Sequence, residues 1–295
     1  MSDSPGLQFR RALDNRPLPI VGVFNALTAR MAKAAGFRAV YQSGAALSAG
    51  LAAVPDIGLV TQTEFVQQGE YLARAVDVPV ISDADTGFGD VSSVERTVVL
   101  YEAAGLAGLH LEDQQLPKRC GHLSGKTLVE TSEMVAKIKA AVSARRDPDF
   151  VIIARTDARG VVGIDETLDR AKAYVEAGAD MVFPEALQSP DEFARFAEEI
   201  SVPLMANMTE FGKSPLLSVR ELGEMGFAAV LFPVTIFRVA MKAAEKALSQ
   251  LADIGTQQGL LDDMQTRAEL YELIDYDGFE ERDREYFGTP GERGE

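Results

Sequence analysis

The chain has 295 residues, of which 46% are hydrophobic and 25% charged, as in an ordinary globular protein large enough to bury its own core. Its 45 acidic and 29 basic residues give a formal charge of −16, which argues against binding to nucleic acid or to an anionic membrane. A single cysteine excludes an intrachain disulfide, and because neither a secretory signal nor a membrane-spanning apolar run is found, we expect a cytoplasmic protein without a membrane partner.

Short apolar runs alternate with amphipathic stretches along the chain. The runs are nearly continuous in apolar residues, which is typical of parallel strands buried on both faces. In chain order they are Pro19–Phe24, Ala39–Tyr41, Val78–Ile81, Gly108–Leu111, Phe150–Ala154, Met181–Phe183, Pro203–Ala206 and Ala229–Phe232. Helical stretches between them include Ser92–Ala104, Ser132–Ala144, Asp165–Ala177 and Ser218–Met225.

Eight such units predict an α/β protein with a (β/α)8 barrel of the TIM type. An open doubly wound sheet is the alternative, and it is disfavoured because no glycine-rich dinucleotide-binding turn follows the first run. Capping residues mark the helix boundaries. The predicted N-caps are Ser92, Ser132, Asp165 and Ser218, and the glycines that end helices are Gly36, Gly105, Gly178 and Gly226.

The residues after the eighth unit continue in a helical pattern. We assign residues 1–250 to the catalytic barrel and residues 251–295 to a C-terminal helical extension. Gln257–Leu273 is predicted to form one helix and Glu280–Tyr286 a short polar one. The pattern leaves open whether this extension caps the barrel and joins subunits or contributes directly to the active site.

Polar side chains follow nearly every apolar run, where a barrel enzyme carries its catalytic groups. The acidic ones are Asp83, Asp85 and Glu112, with Asp56 and Glu185 as further candidates. Asp83 and Asp85 are two residues apart at a strand end, so their carboxylates should face the same side. Carboxylates without a His or Cys cluster suit Mg²⁺, and also Mn²⁺. The alternative is that these acids cap helices or pair with Arg155.

The only cysteine, Cys120, lies in the polar segment Lys118–His122 after the fourth run. Its neighbours Lys118, Arg119 and His122 are expected to lower the pKa of the thiol. Cys120 could be a nucleophile with His122 as its base, or a general acid toward a carbanion. Spacing does not separate the two, but a metal site favours the acid, because Mg²⁺ stabilises an oxyanion without a covalent intermediate. An incidental cysteine in a surface loop is the remaining interpretation.

Lys118–His122 resembles the signature of the isocitrate lyase and phosphoenolpyruvate mutase superfamily. Further segments that agree are Ser82–Gly89, Gly108–Gln114, Ile153–Ala158, Phe183–Ala186, Ala206–Gly212 and Met264–Tyr271. The resemblance covers nearly the whole chain and is greatest to the branch that cleaves 2-methylisocitrate, because the signature reads Lys-Arg-Cys and the insertions of typical isocitrate lyases are absent. The presence of Cys120 disfavours the phosphonate-processing and oxaloacetate-decarboxylating branches, whereas dimethylmalate lyases keep the signature.

The resemblance implies Mg²⁺-dependent retro-aldol cleavage of 2-methylisocitrate to pyruvate and succinate. It places Mg²⁺ on Asp83 and Asp85, with Asp56 and Glu112 acting through water. Cys120 is the implied acid, with Lys118, His122 and Tyr41 also in the catalytic group; the base is open between Tyr41, Lys118 and a metal-bound water. The implied substrate-binding residues are Ser43, Gly44, Ala45, Gly121, Arg155, Glu185, Asn207, Thr209, Arg238 and Arg267.

The resemblance also implies a homotetramer that exchanges C-terminal helices between subunits, and a role in propionate catabolism through the methylcitrate cycle. The loop Gln115–Thr127 is expected to close over a small carboxylate substrate and exclude water. Alternative activities are cleavage of 2,3-dimethylmalate or isocitrate, or decarboxylation of oxaloacetate. A catalytically silent homologue is disfavoured because Asp83, Asp85, Cys120 and Arg155 are all present.

Overall fold

The computed structural model describes residues 3–287 and contains a ring of parallel strands. The strands are β1 (Leu18–Val23), β2 (Val40–Gln42), β3 (Val80–Asp83), β4 (Gly108–Glu112), β5 (Val151–Thr156), β6 (Met181–Pro184), β7 (Met205–Asn207) and β8 (Ala229–Phe232). Each predicted apolar run overlaps one of them. Apolar residues that are continuous rather than alternating were therefore a sound signal of strands covered on both faces.

The eight strands form one sheet in the order β6-β5-β4-β3-β2-β1-β8-β7. β1 pairs with β2 on one side, through Val21 and Val40, and with β8 on the other, through Val21 and Phe232. The two ends of the order meet where Val182 of β6 bridges Leu204, which directly precedes β7. The sheet is thus a nearly closed TIM-type (β/α)8 barrel. The predicted fold class is confirmed, and the open doubly wound sheet is excluded.

Helices separate the strands and continue past the last one. They are α1 (Pro5–Ala12), α2 (Ala26–Ala34), α3 (Gly44–Ala52), α4 (Gln62–Ala75), α5 (Val91–Ala103), α6 (Thr131–Ala144), α7 (Ile164–Glu176), α8 (Pro190–Glu199), α9 (Val219–Glu224), α10 (Thr235–Ile254), α11 (Arg267–Ile274) and α12 (Tyr276–Phe287). Two short 3-10 helices cover Ala158–Gly160 and Gln258–Asp263. Within residues 3–287, no helix combines the length and apolar character needed to span a membrane.

The helix ends were predicted with mixed success. Ser218 caps α9 as predicted and shares a capping box with Glu221. The predictions of Ser92, Ser132 and Asp165 as N-caps are wrong, because the caps are Asp90, Glu130 and Gly163. The predicted C-terminal glycines are confirmed: Gly36, Gly105, Gly178 and Gly226 have φ between 85° and 105°, the left-handed region in which a residue with a Cβ is strained.

Several non-glycine residues at the carboxyl end of the barrel also have left-handed backbone. They are Asp85, Phe88, Ala186 and Phe211, with φ between 46° and 60°. All four lie in the connections after β3, β6 and β7. Because L-residues rarely adopt this region, the backbone is locally strained at this end of the barrel.

Apolar side chains fill the barrel from its amino end. Leu18, Ile20 and Ile153 belong to one buried cluster that also includes Phe9 of α1. Arg10 of α1 bonds the carboxylate of Asp180 at 2.8 Å and the backbone carbonyl of Asp149 at 2.9 Å, both just ahead of strands. α1 therefore lies at the amino ends of the strands, and the opposite end is left for chemistry.

The chain divides into two compact units between Arg238 and Val239, inside α10. The second unit contains the rest of α10, the 3-10 helix Gln258–Asp263, α11 and α12; residues 288–295 lie outside the described range. The prediction of one helix over Gln257–Leu273 is wrong, because Met264 is extended. α11 begins after Thr266, whose side chain forms a capping box with Glu269. The local capping signal outweighed the continuous apolar pattern.

Candidate active site

A cavity at the carboxyl ends of the strands takes in most of the predicted site residues. Its volume is about 510 Å³, counting the part open to solvent. The predicted residues that line it are Tyr41, Ser43, Ala45, Asp56, Asp83, Cys120, Gly121, His122, Arg155, Glu185, Asn207, Thr209 and Arg238. Apolar wall comes from Phe183, Leu231, Pro233 and Val234. The barrel thus gathers side chains that are far apart in sequence around one small space.

Three acids of the predicted metal site, Asp56, Asp83 and Asp85, lie close together beside the end of β3. The ammonium of Lys118 lies 2.6 Å from Asp56 Oδ1 and also contacts Asp85 Oδ1. Asp83 Oδ1 accepts the backbone N–H of Asp85 at 2.9 Å. Gly44, the first residue of α3, is so close to Asp83 that a Cβ there would lie 2.5 Å from Oδ2. Only glycine fits at this position without displacing the carboxylate.

Burial and neighbouring charges set the protonation of these acids. Burial acts to raise the pKa of Asp83, but His110 and Lys118 outweigh it, and the pKa falls to about 2. Burial raises the pKa of Asp85 to about 7 in spite of the attraction of Lys118. Burial also raises the pKa of Glu112 well above its usual range, and neither carboxylate oxygen of Glu112 has a hydrogen-bond partner. The acids are therefore buried with fewer cations than they need.

The donor set fits a hard divalent cation. Asp83, Asp85 and Glu112 offer carboxylate oxygens, and the unpartnered oxygens of Glu112 can accept a water. Among residues 3–287, no group of three or more His, Cys, Asp or Glu side chains is placed so that it could hold a metal ion by itself. Mg²⁺ keeps several waters and is commonly held by one or two carboxylates together with substrate oxygens. The residues present therefore suit Mg²⁺ better than a metal that needs a closed protein cage.

Lys118 is protonated among these buried acids. Burial acts to lower the pKa of its ammonium, but the carboxylates of Glu112, Asp85 and Asp83 outweigh burial and hold the pKa well above the ordinary value. A protonated lysine neutralises the acids and cannot accept a proton. The structure thus gives Lys118 an electrostatic part and no support as the base.

His110 belongs to the site although the sequence analysis gave it no role. It is fully buried on β4, with Nε2 2.7 Å from the hydroxyl of Tyr41 and its ring stacked on that of Tyr41. Burial lowers the pKa of His110 to about 4 and raises the pKa of Tyr41 well above its ordinary value. The pair is uncharged near neutral pH and fixes the Tyr41 hydroxyl. Its position two residues before Glu112 on one strand was the signal that could have identified it.

The Cys120 thiol has a different charge state from the one predicted. Cys120 is reached by solvent and lines the cavity, and partial burial there raises the pKa of its thiol. The prediction of a lowered pKa is wrong, because burial of the thiol, together with the nearby carboxylates of Glu185 and Asp56, outweighs the groups that lower its pKa. A thiol that keeps its proton near neutral pH suits a general acid better than a nucleophile.

His122 joins two connections across the cavity. Its Nδ1 accepts the backbone N–H of Lys213 at 2.9 Å, and its Nε2 lies 2.6 Å from Glu185 Oε1. A nitrogen that accepts an N–H carries no proton, so the ring proton sits on Nε2 and faces Glu185. Nδ1 is occupied by the backbone bond and Nε2 lies against Glu185, so the structure gives no support to His122 as the base that activates Cys120. Glu185 is also held by the amide of Asn207 at 3.1 Å.

Gly212 packs against the imidazole of His122. We expect Gly212→Ala to weaken the hydrogen bond between His122 and the backbone of Lys213. A Cβ at Gly212 would lie 2.5 Å from Nδ1 of His122, so one of the two connections must move. We expect turnover to fall about tenfold, with a small loss of stability of about 1–2 kcal/mol. Steady-state kinetics and thermal unfolding measure the two effects.

Gly160→Ala is the matched control for this substitution, because the nearest atom to its added Cβ lies 3.7 Å away. It should retain the activity of the unaltered chain. Equal activity of the two alanine variants would show that the contact between Gly212 and His122 has no bearing on catalysis.

The arginines of the predicted site have different surroundings. Arg155 Nε lies 2.9 Å from Asp157 Oδ2 and 3.4 Å from Glu112 Oε2, beside the cavity. Arg238 is half-exposed and lies 3.5 Å from Glu210. Arg267 is the first residue of α11, in the second unit, so its contact with substrate stays a prediction. Arg155 and Arg238 are the cations that can receive substrate carboxylates at the cavity.

A parallel barrel whose carboxyl end holds buried acids, arginine and a protonated thiol in one small cavity defines an enzyme for a small carboxylate substrate. The chain belongs to the phosphoenolpyruvate phosphomutase family, whose model matches residues 9–252. The predicted membership of the wider isocitrate lyase and phosphoenolpyruvate mutase superfamily is confirmed.

A relative from Aeropyrum pernix, named 2-methylisocitrate lyase, is 50% identical to the chain; the match covers 96% of this chain and 91% of the relative. Others with that name, two of them marked probable, are 45–54% identical. These relatives confirm the predicted enzyme class, a carbon–carbon lyase.

Solved structures extend the comparison to the fold and the metal. A 2,3-dimethylmalate lyase superposes with a TM-score of 0.92 at 35% identity, covering 100% of this chain and 99% of that one. A phosphonopyruvate hydrolase, solved in complex with oxalate and Mg²⁺, has a TM-score of 0.87 at 30% identity and covers 96% of this chain and 99% of that one. Members of the superfamily therefore bind Mg²⁺ with a small dicarboxylate.

Proposed function

We propose that the chain cleaves 2-methylisocitrate to pyruvate and succinate. The observation that carries this proposal is the convergence of Cys120, Arg155 and the acid group at Asp83 on one cavity, in a chain about half identical to proteins of that name. The reaction breaks a carbon–carbon bond beside a hydroxyl group. It needs a site that binds carboxylates, accepts the charge of the hydroxyl oxygen and returns a proton to the departing carbon.

The substrate carboxylates are held by cations and backbone donors. Arg155 and Arg238 bind them through paired N–H groups. Asn207 and Thr209 add polar contacts from the end of β7. Ser43, Gly44 and Ala45 present the start of α3, where the first backbone N–H groups have no acceptor within the helix. Gly121 lets Glu185 and Arg155 pack directly against the backbone at the cavity wall, because an added Cβ would clash with both side chains.

Asp83 and Asp85 would hold Mg²⁺, with Asp56 and Glu112 acting through water. When bound, the ion lowers the free energy of the substrate's alkoxide and so favours carbon–carbon cleavage. Lys118 and Arg155 offset the remaining negative charge of the acids. Mn²⁺ has the same preference for oxygen ligands and could replace it.

Cys120 delivers the proton that completes the reaction. Loss of the hydroxyl proton and cleavage of the carbon–carbon bond give the carbonyl of pyruvate, and the bonding electron pair stays on the carbon of the succinate fragment. Cys120 donates its proton to that carbon. The raised pKa of the thiol keeps this proton in place until it is needed. Lys118 is charged and the pKa of Tyr41 is raised, so neither is suited to accept the first proton. Of the three candidates, a water molecule at the acid group is left to take that proton.

A substrate panel tests the proposal. We expect release of the oxo acid, pyruvate or, from isocitrate, glyoxylate, at a kcat/KM for 2-methylisocitrate at least ten times that for 2,3-dimethylmalate, isocitrate or oxaloacetate. Isocitrate lacks the methyl group, and 2,3-dimethylmalate and oxaloacetate lack the third carboxylate. Product identification by mass spectrometry would distinguish cleavage from decarboxylation. Faster release from 2,3-dimethylmalate, which the structural likeness to that lyase favours as the second candidate, would reassign the substrate.

The proposed function also bears on the oligomeric state, the location and the metabolic role of the protein. Large apolar side chains are exposed in the second unit, among them Leu251, Ile254, Leu261 and Phe279, as in a surface that another subunit covers. They support the proposal that the residues after 250 form an oligomer interface and complete the site, in a homotetramer. We also propose a cytoplasmic location and, because of the proposed substrate, a role in propionate catabolism through the methylcitrate cycle.

A further inference from the structure

Lys126 is a buried cation in the connection that carries Cys120. Its side chain is 1% exposed, and its ammonium lies 2.8 Å from Asp157 Oδ1. The same ammonium donates to the backbone carbonyl of Gly121, the residue that follows Cys120. A lysine is very rarely buried without a partner. Lys126 has two, and one of them is the backbone next to the thiol.

Asp157 connects this lysine to the arginine of the cavity. Its Oδ2 accepts a hydrogen bond from Nε of Arg155 at 2.9 Å, and its Oδ1 accepts one from Nη2 of Arg155 at 3.3 Å. Burial acts to raise the pKa of Asp157, but Arg155 and Lys126 outweigh it and hold the pKa well below its usual range. One charged carboxylate is thus shared between the substrate-binding guanidinium and the Cys120 connection.

Asp157 is itself fixed to the barrel. Its backbone N–H donates to Asp113 Oδ1 at 2.8 Å. The other oxygen of Asp113 accepts the hydroxyls of Thr156 at 2.8 Å and of Tyr174 at 2.9 Å. All of these groups are buried, so the network is held by full hydrogen bonding inside the protein rather than by a surface ion pair.

The geometry points to Lys126 and Asp157 as positioning residues that hold the Cys120 thiol in line with the Arg155 guanidinium. This inference rests on the proposed function, in which Arg155 binds a substrate carboxylate and Cys120 donates a proton to the same molecule. An acid and a binding group must keep a fixed separation to act on one substrate, and a misplacement of about 1 Å can cost about 10²-fold in rate. Asp157 sets that separation because it binds both sides.

Lys126→Met keeps most of the side-chain volume and removes the charge. We expect kcat to fall tenfold or more, with a smaller change in KM, because the thiol is displaced while the carboxylate contacts remain. Cys120 is the only cysteine, so iodoacetamide reports on it alone. The pH midpoint of alkylation should move down toward the value of about 8.5 for a free cysteine as the thiol becomes more solvated.

Two further variants make the result decisive. Lys172→Met is the control, because Lys172 pairs with Glu199 at 2.5 Å between α7 and α8, away from the cavity; its kinetics and alkylation should match those of the unaltered chain. Lys126→Arg keeps the charge and should recover part of kcat. If Lys126→Met does not fold, the same loss and the same shift, smaller in size, are expected in Lys126→Arg.

The alkylation arm separates this inference from the proposed function, because it needs no substrate. A shifted alkylation midpoint in a chain that cleaves none of the four substrates would refute the function and leave the positioning role standing. Unchanged kcat and unchanged alkylation in the folded Lys126 variants, in a chain that cleaves 2-methylisocitrate, would overturn the positioning role.

Discussion

Cys120→Ser is expected to fold as the unaltered chain does and to lose about 10²- to 10⁴-fold in kcat, the usual contribution of a general acid. The hydroxyl is close in size to the thiol, and Cys120 makes no core contact, so stability should change by less than about 0.5 kcal/mol. A serine hydroxyl is a much weaker acid and cannot protonate the departing carbon efficiently. Steady-state kinetics together with thermal unfolding measure both effects.

The pH dependence provides the internal control. A general acid acts only while protonated, so kcat of the unaltered chain should fall as the pH rises through the thiol pKa. Because burial raises that pKa, the fall should lie above the value of about 8.5 for a free cysteine. The alkaline fall assigned to the thiol should be absent in Cys120→Ser. Near-normal rates in the serine variant would remove the thiol from the mechanism.

Chelation with EDTA is expected to abolish activity, and added Mg²⁺ to restore it. The acids around Asp83 and Asp85 are buried with too few cations, and the alkoxide of the substrate needs a further positive charge. We expect at least a 10³-fold loss of kcat/KM, with partial recovery in Mn²⁺. The assay is the same pyruvate release, followed after gel filtration to remove the chelator.

Asp83→Asn tests the same site by mutation. The amide keeps the shape of the side chain and removes the charge, so the variant should need a higher concentration of Mg²⁺ for half-maximal activity. Asp90→Asn is a suitable control, because Asp90 caps α5 and asparagine caps a helix equally well. Full activity of the chelated enzyme would remove the metal from the proposal.

The barrel was predictable from sequence because its signals are local. Continuous apolar runs such as Phe150–Ala154 mark strands covered on both faces, and a glycine such as Gly178 marks a helix end by its left-handed φ. The N-caps were less predictable, since several polar residues compete for one position. Asp90 lies two residues ahead of Ser92 and bonds the first free N–H of α5, so the helix begins earlier than the apolar pattern suggests.

The composition of the site was also predictable, because the ends of parallel strands meet at one edge and the sequence shows which residues stand there. The charge states were not. The pKa of Cys120 depends on how far the fold buries its thiol and on the carboxylates of Glu185 and Asp56, which approach it from two other connections. The roles of His110, Lys126 and Asp157 were likewise not predicted, because these roles depend on contacts between segments that are distant in the sequence.

The left-handed backbone at Asp85 and Ala186 has a consequence for the rigidity of the catalytic rim. Non-glycine residues in this region cost about 1–3 kcal/mol each, whereas glycine adopts it freely. Replacement by glycine would therefore relieve the strain, yet it would also let these connections sample many shapes. The non-glycine residues at these two positions therefore hold the connections of the catalytic rim in one backbone conformation, at the expense of local strain.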